Sequence, residues 1–194
     1  MMFAVYPLVL KIFTPVGYGR FFTAISPAQL LAFSSSSSGA TMPVTMECVE
    51  NRLGVSEDVT SFVIPVGATI NMDGTALYQG VAAVFIAQMF NMPLSITEQL
   101  MIVLTATLAS IGTAAVPGVG IVMLVIVLES VGLPLEGIAV ILGVDRILDM
   151  CRTSVNVTGD CMVAAVVAHS ENELLTPAEV AATSNRPLDE HPPF

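Results

Sequence analysis

Charged residues are scarce in this sequence of 194 residues. Lys, Arg, Asp and Glu make up 11% of the chain, hydrophobic residues make up 54%, and the mean hydropathy is +0.81. Because soluble domains contain about 25% charged residues, this composition excludes an ordinary soluble domain and predicts a multi-pass integral membrane protein in a lipid bilayer. The 6 Lys and Arg residues are too few to predict its orientation in the membrane. We expect no nucleic-acid partner.

Cysteine is also rare. Cys48, Cys151 and Cys161 are odd in number and lack the spacing of a disulfide or metal framework, so free thiols are expected. Much of the formal net charge of -10 lies at segment ends and in residues 169–194, where acidic residues occur among prolines. This composition predicts a polar, disordered tail over residues 169–194.

The first residues lack the charged and small-residue pattern of a signal peptide. Their apolar run is shorter than the roughly 20 residues of a membrane span. We therefore expect residues 1–20 to be the end of a preceding transmembrane helix and a connection.

A helix with one polar face is predicted near the end of the apolar sequence. Its polar residues are spaced by four, three, four and four positions, which places them within about a quarter of the helix circumference. They are Asp145, Asp149, Arg152, Asn156 and Asp160. Because ionisable groups in an apolar helix are costly, they predict a binding site.

Two pairs of apolar arms, each arm too short for a span, flank tips of small residues. The first tip contains Ser34 to Ser38, and the second runs from Ser110 to Gly120. A linker or a surface turn is the alternative. Between such arms, however, the tips predict re-entrant helical hairpins over about 21–56 and 95–130, because irregular backbone at membrane depth needs protein or an aqueous cavity around it. The second tip is the candidate gate.

Residues 58–90 are long enough to span a membrane, but Asn71 to Thr75 interrupt them. A soluble loop is the alternative to a broken transmembrane helix whose freed oxygens suit a hard cation, with Gly74 letting the backbone open. The last helix is predicted over about 137–168. The predicted fold is all-α, with two hairpins and two transmembrane helices in an inverted repeat, over a core at 21–168.

Four strings, SSSSSGATMPVTM, GATINMDGTALYQG, ASIGTAAVPGVGIVML and LDMCRTSVNVTGD, occur in this order. They resemble the dicarboxylate/amino acid:cation symporter family, the glutamate transporter homologues, over about residues 24–169. An archaeal member of that family is itself a standard example of the inverted repeat, so the resemblance and the repeat are not independent.

The resemblance implies roles for individual residues. Asp149 would bind a substrate ammonium and Arg152 a side-chain carboxylate, with Thr75 nearby. The full set implied for substrate is Ser36, Ser37, Ser38, Thr75, Val116, Gly120, Asp149, Arg152, Thr153 and Asn156.

For sodium, the resemblance implies one site of Gly67, Asn71, Asn156 and Asp160. It implies a second of Thr69, Ser110, Ile111 and Thr113, and a contribution of Asn71 and Asp73 to a third. Oxygen ligands of this kind suit an alkali cation better than a transition metal.

The implied function is secondary active symport of glutamate or aspartate with sodium as the coupling ion. The alternatives are a C4-dicarboxylate or proton-coupled glutamate symporter, or a fragment that binds without transporting. The chain is shorter than family members, so we expect a truncated form that lacks the scaffold of the family's homotrimer and does not transport alone. A bacterial inner membrane is the expected location.

An enzyme is not expected. An intramembrane aspartyl protease would also place carboxylates such as Asp73 and Asp149 in apolar helices. Its two carboxylates would share a proton, whereas Arg152, one helical turn from Asp149, would keep that group ionised. The role of Arg146, beside Asp145, stays open.

Overall fold

The computed structural model describes residues 1–184, and the regular secondary structure within them is helical apart from an isolated bridge between Val55 and Leu174. The all-α prediction is confirmed. The helices are α1 (Val5–Phe13), α2 (Tyr18–Ser35), α3 (Ser38–Cys48), α4 (Glu57–Ile70), α5 (Asp73–Met89), α6 (Ile96–Ser110), α7 (Val119–Ser130), α8 (Ile138–Ser170) and α9 (Pro177–Ser184). A π-helical turn covers Val49–Leu53 and a 3-10 turn covers Leu135–Gly137.

Helices α2 and α3 pack against each other as a first hairpin, and α6 and α7 as a second. The first tip turns at Ser36, which adopts a left-handed backbone, and Ser37 caps α3 by accepting a hydrogen bond from the Ala40 N–H. The second tip contains Gly112 and Gly118, both with positive φ, a conformation that glycine adopts without a Cβ penalty. Small residues thus allow both chain reversals.

The predicted break in the 58–90 segment lies at Asn71 and Met72, between α4 and α5. The role predicted for Gly74 needs correction, because its φ is not positive and it lies inside α5. A Cβ at Gly74 would come within 2.6 Å of the Arg152 carbonyl oxygen and 2.9 Å of Asn156 Oδ1. Glycine is therefore required for the close approach of α5 to α8.

The buried apolar residues form two clusters. One combines the first hairpin, α1 and α4 with the C-terminal half of α8, and the other combines α5 and the second hairpin with Ile141 near the start of α8. Each cluster thus unites one hairpin with one half of the broken segment. Helix α8 runs through both clusters and presents its polar face where they meet.

The chain after α8 differs from the predicted disordered tail. Leu174 pairs with Val55, and α9 packs against the π-helical turn, because the apolar side chains Leu174 and Val180 find partners there. The rest of that predicted tail, residues 185–194, lies outside the described residues.

Among the described residues, no single helix combines the length and hydropathy expected of a membrane span. Helices α1 and α2 meet these criteria together, across a bend of 120°.

Candidate functional site

The polar face of α8 is buried. Asp149, Arg152, Asn156 and Asp160 are each at most 5% exposed, and Asp145 is 9% exposed. Successive helical turns place these side chains in one line along α8, as their spacing predicts. The two hairpin tips and the break between α4 and α5 cover this line, so tertiary packing rather than α8 itself removes it from solvent.

A cavity of about 20 Å³ lies between the two tips, α5 and α8. This volume holds about one water molecule, so the two hairpins are closed over the site. The lining residues are Ser36, Ser38, Met72, Thr75, Thr113, Ala114, Ala115, Val116, Val119, Asp149, Arg152, Thr153 and Asn156. Most of the residues implied for substrate thus lie together.

Two of the residues implied for substrate lie outside this lining. Ser37 donates its hydroxyl to the Ala115 carbonyl at 2.8 Å, which links the two tips. Gly120 packs directly on the Arg152 guanidinium, since a Cβ there would come within 1.7 Å of Nη1.

Asp149 and Arg152 form a buried ion pair between Oδ1 and Nη2. The other carboxylate oxygen of Asp149 accepts a hydrogen bond of 2.8 Å from the Gly118 N–H in the second tip. Arg152 Nη1 and Ser36 Oγ are buried without a hydrogen-bond partner in the described structure. Because an unsatisfied buried donor is costly, these two atoms are available to a ligand in the cavity.

Tyr78 is a functional candidate that the sequence analysis missed. The Arg152 guanidinium lies over its ring, 4.7 Å from the centroid, and its hydroxyl donates to Asp145 Oδ1 at 2.8 Å. Tyr78 therefore holds Arg152 through a cation–π contact and supplies the partner of Asp145. The sequence feature that could have identified Tyr78 is its position one helical turn after Thr75 on α5.

The residues implied for the first sodium site meet beside the break. Asn71 Nδ2 donates to Asp160 Oδ1 at 2.9 Å, and a Cβ at Gly67 would come within 2.6 Å of the same oxygen. Asn156 Oδ1 accepts from the Gly74 N–H at 2.7 Å. Gly67, the Asn71 amide and the Asp160 carboxylate thus lie together in a buried setting, and carboxylate and amide oxygens are ligands that suit a hard cation.

The second implied set joins the break to the second tip. The Thr69 carbonyl accepts a hydrogen bond of 2.8 Å from the Gly112 N–H. Ser110 and Thr113 are buried, whereas the Ile111 side chain is 46% exposed. In this closed state the Gly112 N–H therefore uses one of the two lone pairs of the Thr69 carbonyl oxygen.

Asp73, implied for the third site, accepts a hydrogen bond of 3.1 Å from the Tyr6 hydroxyl. Tyr6 also donates to the Val155 carbonyl at 3.3 Å and is fully buried. Tyr6 was not among the predicted site residues. It ties α1 to both α5 and α8 at the position of Asp73.

Glu179 in α9 is an ionisable group outside the apolar core. The Thr176 hydroxyl and the Thr176 backbone N–H both donate to its carboxylate, and these hydrogen bonds lower the pKa of Glu179 below its ordinary value. This pair caps the start of α9.

Comparison with known proteins gives a consistent result. The model of the sodium:dicarboxylate symporter family matches residues 1–170. An excitatory amino acid transporter of Caenorhabditis elegans is 48% identical over 179 residues, which is 92% of this chain and 36% of the relative. Excitatory amino acid transporter 2 of Mus musculus is 49% identical over 171 residues, which is 88% of this chain and 30% of the relative.

Excitatory amino acid transporter 1 of Rattus norvegicus is 43% identical over 201 aligned residues, covering 94% of this chain and 37% of the relative. The chain thus spans about a third of the length of these relatives. All three come from animals, so they give no support to the predicted bacterial inner membrane.

Proposed function

The chain belongs to the sodium:dicarboxylate symporter family, as its motifs predicted, and we propose that it forms the binding core of a symporter for an acidic amino acid and sodium ions. This family consists of membrane transporters rather than enzymes. The buried Asp149–Arg152 pair beside the closed cavity is the observation that carries the proposal.

Glutamate and aspartate complement this pair chemically. Each has an ammonium group that can replace the Gly118 N–H at Asp149, and a side-chain carboxylate that can occupy the unpaired Nη1 of Arg152. A guanidinium holds a carboxylate through two parallel hydrogen bonds, which gives geometric selectivity as well as affinity. Each buried charge of the protein thereby meets an opposite charge of the ligand.

The remaining contacts are assigned to the α-carboxylate and to closure. Thr153 and Asn156 lie on α8 beside the cavity, and Ser36 offers an unpaired hydroxyl from the first tip. Backbone around Val116 and Gly120 closes the second tip over the ligand. The cavity must enlarge to admit an amino acid, and the positive-φ glycines of the second tip favour that hairpin as the moving part.

Sodium ions would bind the oxygen sets around Asp160, Thr69 and Asp73. A cation at Thr69 would share the carbonyl oxygen with the Gly112 N–H, because a carbonyl oxygen has two lone pairs. Sodium and the second tip would then be coupled through one atom. An ion bound there would favour the closed tip, as a shift between populations.

Family membership supports a location in a lipid bilayer. The outward face of α6 is apolar, with Ile96 at 77% and Leu100 at 65% exposure, as expected of a surface that faces lipid or other protein segments. We propose a cell-membrane location and, for a chain of full family length, a homotrimer.

Ligand binding to the purified chain tests the proposal. We expect aspartate and glutamate to bind with sodium and to bind weakly without it, and succinate to bind poorly because it lacks an ammonium group for Asp149. Equal binding of succinate would favour a dicarboxylate carrier, and sodium-independent binding at low pH would favour proton coupling. Sodium-dependent binding without uptake into proteoliposomes would indicate a binding-competent, non-transporting chain.

The variant Arg152→Ala tests the carboxylate role, and thermal unfolding is measured beside binding because the substitution leaves Asp149 buried without its ion-pair partner. It should lose binding of acidic ligands, whereas Arg146→Ala, which removes an exposed arginine from the same helix, should retain it. Unchanged aspartate binding by Arg152→Ala would refute the proposed role.

A further inference from the structure

The chain that follows α8 is bonded to the base of the first hairpin. The Ser56 N–H donates to the Glu173 carbonyl at 3.2 Å, and the Leu175 N–H donates to the Gly54 carbonyl at 2.7 Å. The Ser56 hydroxyl also donates to the Glu173 carboxylate. These bonds flank the bridge between Val55 and Leu174. Residues 173–175 thus pair with residues 54–56, at the junction between the π-helical turn and α4.

Helix α9 continues this contact. A Cβ at Gly54 would come within 2.6 Å of Val180 Cγ2 and 3.0 Å of Leu175 Cβ. Gly54 also has a φ of +90°, so glycine serves both the backbone turn and the docking of α9. On the opposite side, Arg20 donates to the Leu53 carbonyl at 3.0 Å. The base of the first hairpin is therefore held by α2 and by the chain after α8.

The first hairpin is also fixed along its arm. Gln29 Nε2 donates to Thr158 Oγ1 at 2.9 Å, and the Gln29 carbonyl accepts from the Ser154 hydroxyl at 3.3 Å. Both partners lie on α8. Helix α2 is thus bonded to α8 midway between the tip and the base.

The second hairpin is held differently. Its links to the break and to α8 are made by its tip, through the Gly112 N–H to Thr69 and the Gly118 N–H to Asp149. The Thr105 hydroxyl in α6 and the Ser130 hydroxyl at the end of α7 are hydrogen-bonded at 3.0 Å, which joins the two arms. In residues 1–184, no backbone hydrogen bond ties the base of this hairpin to α8 in the way that residues 173–175 tie the first hairpin.

We propose that residues 171–184 act as a clamp that fixes the base of the first hairpin to the end of α8. The clamp keeps the base of the first hairpin in place through backbone hydrogen bonds of a kind that the base of the second hairpin lacks among residues 1–184. This inference concerns the mechanics of the chain and does not depend on which substrate binds.

A pair of substitutions in α9 tests the clamp on the full chain. Val180→Asp places a charge against Gly54, and Ala182→Asp places the same charge on an exposed position of the same helix. Native Cys48 is the reporter, because it lies at the end of α3 and is 2% exposed. The exposed Cys151 is replaced by serine in all variants.

We expect Val180→Asp to raise the rate of Cys48 modification by a maleimide about tenfold, since docking of a partly buried valine is lost. Hydrogen exchange should rise over residues 45–56 and remain unchanged in α6 and α7. Ala182→Asp should leave both readouts at their original values. Glu173→Ala, which removes the acceptor of the Ser56 hydroxyl and leaves the N-cap hydrogen bond from the Val59 N–H to Ser56 intact, should raise the Cys48 rate about fivefold.

Three outcomes would overturn the clamp. One is faster exchange in α9 with an unchanged Cys48 rate, because the hairpin would then be independent of α9. Another is faster exchange throughout α6 and α7, which would make α9 a general stability element. The third is an equal response to Ala182→Asp.

Discussion

Gly120→Ala is expected to abolish selectivity for acidic ligands by displacing Arg152. The added Cβ would lie 1.7 Å from Nη1 and 2.4 Å from Cζ of Arg152. Ordinary contacts of a carbon atom begin near 3.4 Å, so the guanidinium must retreat by more than an ångström. Its position against Asp149 and over the Tyr78 ring would be lost. The flexible end of the arginine, rather than the backbone of α7, is the part that moves.

The magnitude follows from the contacts at Arg152. Hydrogen bonds that involve charged groups contribute about 1.5–3 kcal/mol each, and a carboxylate on a guanidinium makes two. Allowing for partial compensation, we expect a loss of about 2–4 kcal/mol, or roughly 30- to 1,000-fold in the Kd for aspartate. Isothermal titration calorimetry in saturating sodium measures this change. Binding of a neutral amino acid such as serine should change much less.

Gly143→Ala is the matched control. Gly143 lies on α8, and a Cβ there would meet nothing within 4 Å. Since alanine is favoured over glycine in a helix by about 0.5–1 kcal/mol, this variant should be as stable as the original or more so. An unchanged aspartate Kd in Gly120→Ala would refute the reasoning. An equal loss for aspartate and serine would show that the tip cannot close and would refute the displacement of Arg152.

Three further predictions concern the cation site, the hydrogen bond from Tyr78 to Asp145, and α9. Gly67→Ala should raise the sodium concentration needed for half-maximal aspartate binding by tenfold or more, because the new Cβ would lie 2.6 Å from Asp160 Oδ1; an unchanged sodium dependence would contradict it. Tyr78→Phe should lower the free energy of unfolding by about 1–3 kcal/mol, measured by thermal unfolding, because the buried Asp145 carboxylate loses its hydrogen-bond donor. The aromatic ring remains in place for the Arg152 guanidinium. An unchanged free energy of unfolding would contradict this role of the hydroxyl. The lowered pKa of Glu179 means that its stabilisation of α9 is present above the unfolded pKa of about 4.3 and is lost as the pH falls through the folded value. The hydrogen-exchange protection factor of α9, which is the intrinsic exchange rate at each pH divided by the observed rate, should therefore fall on acidification in the original chain, and Glu179→Gln should remove this dependence.

Several features were predictable because they depend on periodicity. The steps between Asp145 and Asp160 place their side chains on one face of any regular helix, and the structure has that helix as α8. The serine and glycine tips were predictable for a similar reason, since apolar arms interrupted by small residues must turn. The break at Asn71 lies where polar residues enter an apolar run.

Other features depend on contacts between distant segments. Tyr78 supports Arg152 only because α5 packs against α8, and 74 positions separate the two residues in sequence. The sequence predicts backbone opening at Gly74. The structure requires glycine there for another reason, because α5 approaches α8 closely at this residue. The tail after α8 has a polar composition, but Leu174, Leu175 and Val180 dock on the base of the first hairpin.

The sequence by itself determined that the chain is apolar and helical, that two small-residue tips and a break interrupt it, and that one helix carries a line of charged and amide side chains. These properties depend on composition and local spacing, which are present in the chain before it folds. Only the tertiary structure decided which donors meet which acceptors. It placed the Gly118 N–H on Asp149, the Gly112 N–H on Thr69 and the Tyr78 hydroxyl on Asp145. Hydrogen bonds and cation–π contacts act over a few ångströms, so they exist only after packing has brought distant segments together.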